Sequence, residues 1–487
     1  MKKNKKLYVV LIGFIILITA CSITKLMQND TFFTIATGRE IINNGYDNID
    51  HLTWHEGLSF YKLRWAFDVT IATLFNNFGF TGIYVFIILI AVITMILLFF
   101  TLVKKKNSVL LSFIGTMCSA LLVTSVGTFT GRAQIISYLL LLWEIFVLER
   151  LISTNKKRYF VYLFIVSVLI VNFHASVWMM TIILILPYLA EAIINKFVKK
   201  QIRITTENIE IKSLIIAIII LFLGSFISPI GIYTYSYMFK VMGGLSTEFI
   251  AELQTSNILQ SIGMSVMLVI YTVIALSTKT KIKVRDLCLF FGLFIMAVLA
   301  RRNQTFLFII GMIPLVDLVN EFFVTYDNEH LLDKLTTKIT KTKSLIIIAL
   351  LIIVMILPSI VRRVKEDYVD KSSYPVDATE FIKNNLDYEN MRIFNHFNFG
   401  SYLELNGIKA FVDSRSEIFC EEFNNTEVLQ DWLDVYECKV HYDDIFDKYN
   451  IDYALVYNTE RINTYLNKDV DYTKLYEDDY FSIYERK

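Results

Sequence analysis

For its first 365 residues the chain alternates long apolar runs with short polar connections. Apolar stretches lie near 7–26, 81–103, 108–127, 132–150, 158–173, 175–196, 212–231, 261–277, 286–300, 303–320 and 344–361. Several come close to the roughly 20 apolar residues that cross a bilayer as a helix. The pattern therefore predicts a polytopic α-helical membrane protein with about eleven transmembrane helices. Residues 66–80, AFDVTIATLFNNFGF, keep apolar residues at helical spacing but include Asp68, Asn76 and Asn77. They predict an interfacial or half-inserted helix. Two stretches, about 27–80 and 231–260, are too polar to lie wholly in lipid and predict loops with structure of their own.

After about Glu366 the pattern changes to that of a soluble α/β domain. PVDATEFIKNNL at 375–386 reads as a helix opening on Pro, and YDDIFDKYN as a second helix. MRIFNHF, KAFVDSR and IDYALVY read as strands, and YTKLYEDDYFSIYER as a closing hairpin over an Asp-Asp turn. The expected organisation is a transmembrane domain over 1–365 and an acidic α/β domain over 366–487.

Charge divides the chain at the same place. Residues 366–487 hold 27 Asp and Glu against 12 Lys and Arg, net −15, and the rest holds 19 against 35, net +16. Runs such as KKK at 104–106, NKKR at 155–158 and KTKIKVR at 279–285 all fall on the N-terminal side of the expected spans. By the positive-inside tendency, the N-terminus is inside and the first loop, residues 231–260 and the C-terminal domain are outside. Arg362, Arg363 and Lys365 run against this pattern. The basic residues are scattered between apolar segments, so nucleic acid is not an expected partner. Cys21, Cys118 and Cys288 lie in apolar runs, while Cys420 and Cys438 have no metal-ligand spacing around them.

No catalytic triad, phosphate loop or dinucleotide fingerprint occurs in a suitable context. Candidate chemistry instead gathers at the expected outer ends of the spans. Asp30 follows the first span closely, at a boundary where ionisable groups are expensive. Arg39, Asp50 and His51 follow on the same loop, Arg132 begins a span, and His174 lies in the turn NFHAS. Arg301 and Arg302 separate two spans, and Glu252 lies on the second outer loop. Taken singly, each reads as an interfacial anchor, a cap or a solvated loop residue. Taken together, they put cations and an imidazole on one membrane face with an acid, as a site for a lipid-linked phosphate requires.

The loop QNDTFFTIATG, followed by Gly45, Asp50 and Trp54, resembles the first outer loop of the GT-C superfamily of polytopic glycosyltransferases. It is more closely similar to a bacterial family of GT-C-like membrane proteins with the pattern D-P-D-L-W-W-H-L-A-T-G. The second Asp of that pattern falls on Asp30, the first on Gln28 and the His on Thr34. GRAQ at 131–134, NFHAS at 172–176, ISPIG at 227–231 and ARRN at 300–303 continue the resemblance in order. FNFGSYLELNGIKAFVDSRSEIF at 397–419 is similar to the family's G-x-Y-L…F-x-D-x-R-x-E element.

The resemblance implies a glycosyltransferase of the bacterial cytoplasmic membrane that takes sugar from a polyprenyl-phosphate donor. The acceptor is a glycan, lipid or protein outside the membrane, and inversion is the expected outcome. Asp30 is the expected general base and Glu252 a second acid. Arg132, His174 and Arg301 are expected to hold the leaving phosphate, with Arg302, Arg39, Asp50 and His51 as further substrate contacts. Asp413 and Arg415 are expected on the acceptor side, with an internal salt bridge as the alternative. Membrane lipids are partners, and a divalent cation, Mg2+ or Mn2+, is the one cofactor left open, with no ligand assigned. A polysaccharide polymerase or ligase, or a flippase, are the alternatives. The flippase is disfavoured because the charges gather at span ends and no internal duplication is visible.

Overall fold

The computed structural model describes residues 5–197, 203–241, 252, 254–257, 261–339 and 341–487. Much of the second polar stretch, including Glu248, lies outside the described residues. The chain forms two compact units. The first comprises Met1–Thr24, Tyr84–Gly231 and Ile250–Lys365, and the second Lys25–Ile83, Ile232–Phe249 and Glu366–Lys487. A division does fall between Lys365 and Glu366. The first polar loop, however, belongs to the same unit as the C-terminal residues and not to the helical one.

The first unit is helical. Helices cover the apolar runs, among them Lys5–Ser22, Val109–Ser125, Gln134–Thr154, Arg158–His174, Met179–Phe197, Ile262–Ser277 and Val284–Leu299. Among the described residues three helices are long and apolar enough to cross a membrane, or up to five if each of two bent pairs forms one span, and four further apolar helices are shorter. The helix Trp65–Lys104 carries non-helical angles at Gly79, φ 61°. The chain thus breaks where the expected interfacial helix gives way to the expected span.

Several hydroxyls inside the helices are satisfied by their own backbone. Thr94, Ser112 and Thr116 each donate to the carbonyl four residues earlier, at 2.8–2.9 Å. This is how polar side chains avoid unmet donors in an apolar surround. Gly115 lets two helices approach closely, since a Cβ there would lie 2.4 Å from a Val316 methyl. At the other end of the helices from Arg132 and Arg301, a buried ion network ties the segments together. Lys105 binds Glu149 at 2.7 Å and Asp317 at 3.0 Å, while Arg285 binds Glu191 at 3.1 Å.

The second unit is built on a four-stranded sheet. Its strands, in spatial order, are Ile393–Asn395, Tyr453–Tyr457, Phe481–Arg486 and Tyr472–Glu477. The first pair is parallel and the others antiparallel, with Leu455 opposite Ile483. Alternation sends Ala454 and Val456 into one apolar cluster and Leu455 into another on the opposite face. Phe33, Leu58 and Phe60 of the first loop join the cluster of Phe411, Trp432 and Phe446. That burial is why the loop belongs to this unit.

KAFVDSR, expected as a strand, is irregular here apart from one bridge between Thr53 and Ala410. The Asn395 side chain takes over its backbone partners. Its Oδ1 accepts from the Phe411 amide at 2.7 Å, and its Nδ2 donates to the Val412 carbonyl at 2.8 Å. A side-chain amide therefore stands in for a neighbouring strand.

At the centre of this unit Arg415 meets three carboxylates: Asp50 at 2.5 Å, Asp413 at 2.6 Å and Glu404 at 2.8 Å. All four side chains are essentially inaccessible. Burial raises the Asp50 carboxyl, but Arg415 and Thr53 outweigh it and hold the group below its ordinary range. Burial, and then Asp413, hold Glu404 well above that range. Asp50, Asp413 and Arg415, expected to touch substrate, are bound to one another, and their role in this geometry is to hold the unit together.

Replacing Arg415 by Met should leave buried carboxylates without a counter-charge. The expected cost is about 3–5 kcal/mol, read as a lower melting temperature and lost near-ultraviolet dichroism of the full chain. His55 gives a second test. Its Nε2 lies 2.8 Å from the Phe411 carbonyl oxygen, and burial lowers its pKa from 6.5 to about 4. The folded state favours neutral imidazole, so this contribution is complete above pH 6.5 and is lost as pH falls towards 4. A His55→Gln variant should melt with a flatter pH dependence across that window.

Candidate functional site

Arg132, Glu252, Arg301 and Arg302, far apart in sequence, come together in the first unit. Arg132 Nη1 donates to both oxygens of Glu252, at 2.6 and 2.8 Å. The backbone of the same Glu252 accepts from the Arg302 amide at 3.1 Å, and the Gln254 carbonyl accepts from the Arg301 amide at 3.1 Å. Arg301 Nε also donates to the Thr255 carbonyl at 3.4 Å. Residues 252–257 are thereby fastened along the turn Arg301–Asn303 that follows the helix Val284–Leu299.

Ser256 anchors this arrangement. Its amide donates to the Val298 carbonyl at 2.8 Å and its hydroxyl to the Ala297 carbonyl at 2.7 Å. Gln304 donates to the Ser256 hydroxyl at 2.9 Å and accepts from Ser261 at 3.2 Å. Gln304 stands in the sequence with Arg301, Arg302 and Asn303 between two apolar runs, whereas Ser256 was not singled out from sequence. An ARRNQ stretch that ends one apolar run and starts the next was the available signal.

Beside these polar groups opens a cavity of ≈ 840 Å3. Leu122, Gly263, Met267, Phe308 and Met312 are among its apolar lining, and Arg301, Gln304, Ser256 and Asn257 supply polar atoms. Its size falls in the range of small-molecule sites, and its mixture of a broad apolar wall with a few polar groups is typical of them. A molecule with a long apolar body and an anionic head matches that surface: the chain lies on the apolar wall and a guanidinium meets the head.

His174 is buried, with Nδ1 2.6 Å from the Ser137 hydroxyl. Ser137 lies in the helix that Arg132 precedes, so the imidazole braces the start of that helix. The other expected residues lie in the second unit. Asp30 is in the first turn of the helix Asn29–Asn44 and is half-buried. Gly38 of that helix lies so near the Asp68 carbonyl that a Cβ would be 2.1 Å from its oxygen. The TG of the loop motif is therefore a close-packing device.

His51, expected as a substrate contact, is engaged by acids. Its Nε2 is 2.8 Å from Asp47 and 3.6 Å from Glu40. Among the described residues this trio is the group whose donor atoms could surround an ion, all lying within 4.8 Å of one another. The Lys62 ammonium, fully buried, contacts both carboxylates, Glu40 at 3.4 Å, and also the carbonyls of Asp47 and Ile49 at 3.3 Å each. Burial raises the Glu40 carboxyl. At Asp47 burial also pulls upwards, but bonds from Lys62 and His51 outweigh it and bring the pKa to about 2. These carboxylates already hold a cation of their own. A hard cation such as Mg2+ or Mn2+ favours an oxygen-rich, nearly octahedral shell, and the trio with its lysine does not fit one.

No protein-family model matches the chain, and no curated protein matches it in sequence. Two solved structures are similar in fold. One is the Archaeoglobus fulgidus oligosaccharyltransferase tethered to an acceptor peptide containing the NVT sequon, at 13% identity and TM-score 0.59. The similarity covers 94% of this chain and 70% of that one. The other is ArnT from Cupriavidus metallidurans bound to undecaprenyl phosphate, at 9% identity and TM-score 0.56, covering 98% of both chains. Both are GT-C proteins, and the chain shares the GT-C fold.

The clip and the ion pair should differ in weight. Gln304→Leu removes the acceptor of the half-buried Ser261 hydroxyl and the donor to buried Ser256, and should cost about 1–3 kcal/mol. Arg132→Gln breaks a pair whose acid is half exposed and should cost about 1 kcal/mol or less. Thermal melts of both variants in detergent check the order.

Proposed function

We propose that this chain of GT-C fold is a membrane glycosyltransferase. It would take a sugar from a polyprenyl-phosphate donor and pass it to a hydroxyl on the outer face of a bacterial cytoplasmic membrane. The observation that carries the reading is the apolar cavity with Arg301 and Gln304 on its wall and the Arg132–Glu252 pair fastened beside it. A polyprenyl chain suits the apolar wall, and the phosphate suits the guanidinium groups. The leaving phosphate gains charge as its bond to the sugar breaks, so Arg301 and Arg132 would favour the transition state over the ground state. Glu252 holds Arg132 in place until a phosphate competes for it.

In the proposed reaction Asp30 accepts the proton of the acceptor hydroxyl. The acceptor oxygen bonds to the anomeric carbon while the bond from that carbon to the phosphate oxygen breaks. Polyprenyl phosphate leaves, and the configuration at carbon inverts. Support for Asp30 is its half-buried position in the first turn of the helix Asn29–Asn44. His174, through Ser137, positions the helix that Arg132 precedes.

Purified protein in lipid with extracted polyprenyl-phosphate sugars tests the reading. Wild type should transfer sugar, and Asp30→Asn should lose at least about a hundredfold in rate while still binding donor. Arg301→Gln should lower kcat through the lost transition-state contact and also weaken donor binding, seen as a raised KM. Transfer at equal rates by wild type and Asp30→Asn would remove Asp30 as the base.

A further inference from the structure

We propose that the second unit carries a binding site for a saccharide bearing an anionic group, in a cavity of ≈ 560 Å3 beside Arg39. Phe75, Phe80 and Tyr402 give it aromatic walls, and Arg39 and Lys383 give it two cations. Sugar rings present apolar C–H faces that pack on aromatic rings, while a carboxylate or phosphate substituent requires a cation within reach. The cavity offers both within one space.

Arg39 is held ready for such a ligand. Its Nε donates to Asn76 Oδ1 at 2.8 Å and its Nη1 to the Leu405 carbonyl at 3.3 Å. The guanidinium also lies over the Phe75 ring, 5.0 Å from its centre. These partners are neutral, so the orientation is fixed while the charge stays uncompensated. Lys383 is exposed and forms no ion pair among the described residues. Lys383 is a cation in a C-terminal stretch of 122 residues that carries net −15, and it shares the cavity with Arg39, whose bonded partners are neutral.

A third polar group points to a ligand with its own donors and acceptors. Glu404 lines the cavity, and its Oε2 is buried without a hydrogen-bond partner, while its Oε1 holds Arg415. A sugar hydroxyl would meet that orphan oxygen. The site goes beyond the donor cavity, and it depends on the transferase reading only in making the saccharide the acceptor.

Equilibrium binding by the full chain in lipid nanodiscs, with no donor present, tests the site apart from transfer. The probes are an oligogalacturonate, a glucose 6-phosphate, a neutral maltohexaose and inorganic phosphate. The charged saccharides should bind, the neutral one should not, and affinity should fall with added salt. An Arg39→Gln/Lys383→Gln variant should bind about tenfold more weakly or worse, and Lys383→Gln alone, on an exposed side chain, should show a smaller loss. The uronate and phosphate arms identify which anionic group is preferred. Equal binding of neutral and charged saccharides, inorganic phosphate binding as tightly as the sugars, or undiminished binding by the double variant would each overturn the proposal. A failure of sugar transfer alone would leave it standing.

Discussion

The second unit depends on one guanidinium. Arg415 draws Asp50 from the first loop and Glu404 and Asp413 from the C-terminal part into a group sealed from water. Moving these ions out of water costs several kcal/mol each, and the cost is offset only where every partner is in place. Phe60, 4.6 Å from the guanidinium carbon, and Phe33 at 5.9 Å close over it. A loop near the start of the chain is thereby locked to an element near its end. The helix bearing Asp30 and Arg39 enters the same unit through that connection.

The first unit solves a different problem. Its helices are apolar on most sides and gain little specificity from hydrophobic burial, so polar contacts set their arrangement. One group of contacts joins Lys105, Glu149, Arg285, Glu191 and Asp317 at one end of the helices. Another joins Ser256, Gln304 and Ser261 near Arg301 at the other. Between them the helices leave apolar space open. Gly115 and Gly263 lie on the wall of that cavity where neighbouring side chains pack close to the backbone.

The two halves of the proposed chemistry thus rest on different physics. Donor recognition draws on apolar surface with cations at its edge. Acceptor recognition draws on aromatic walls with cations in an otherwise acidic unit.

Much of this was legible in the chain. Apolar runs located the helices, the charge change marked 365/366, and alternation found the strands at 393, 453, 472 and 481. ARRN and GRAQ, at the ends of apolar runs, marked the groups that meet around Glu252. These features depend on neighbours within about one turn or one strand, so the sequence by itself determined them. What only the tertiary structure decided were contacts across hundreds of residues. Asp50 reads as a loop acid until Arg415 reaches it, KAFVDSR reads as a strand until Asn395 takes its hydrogen bonds, and His51 reads as a substrate contact until Asp47 and Glu40 engage it. In each case a partner remote in sequence fixed the role, because burial and pairing, not residue type, decide what a charged or amide side chain does.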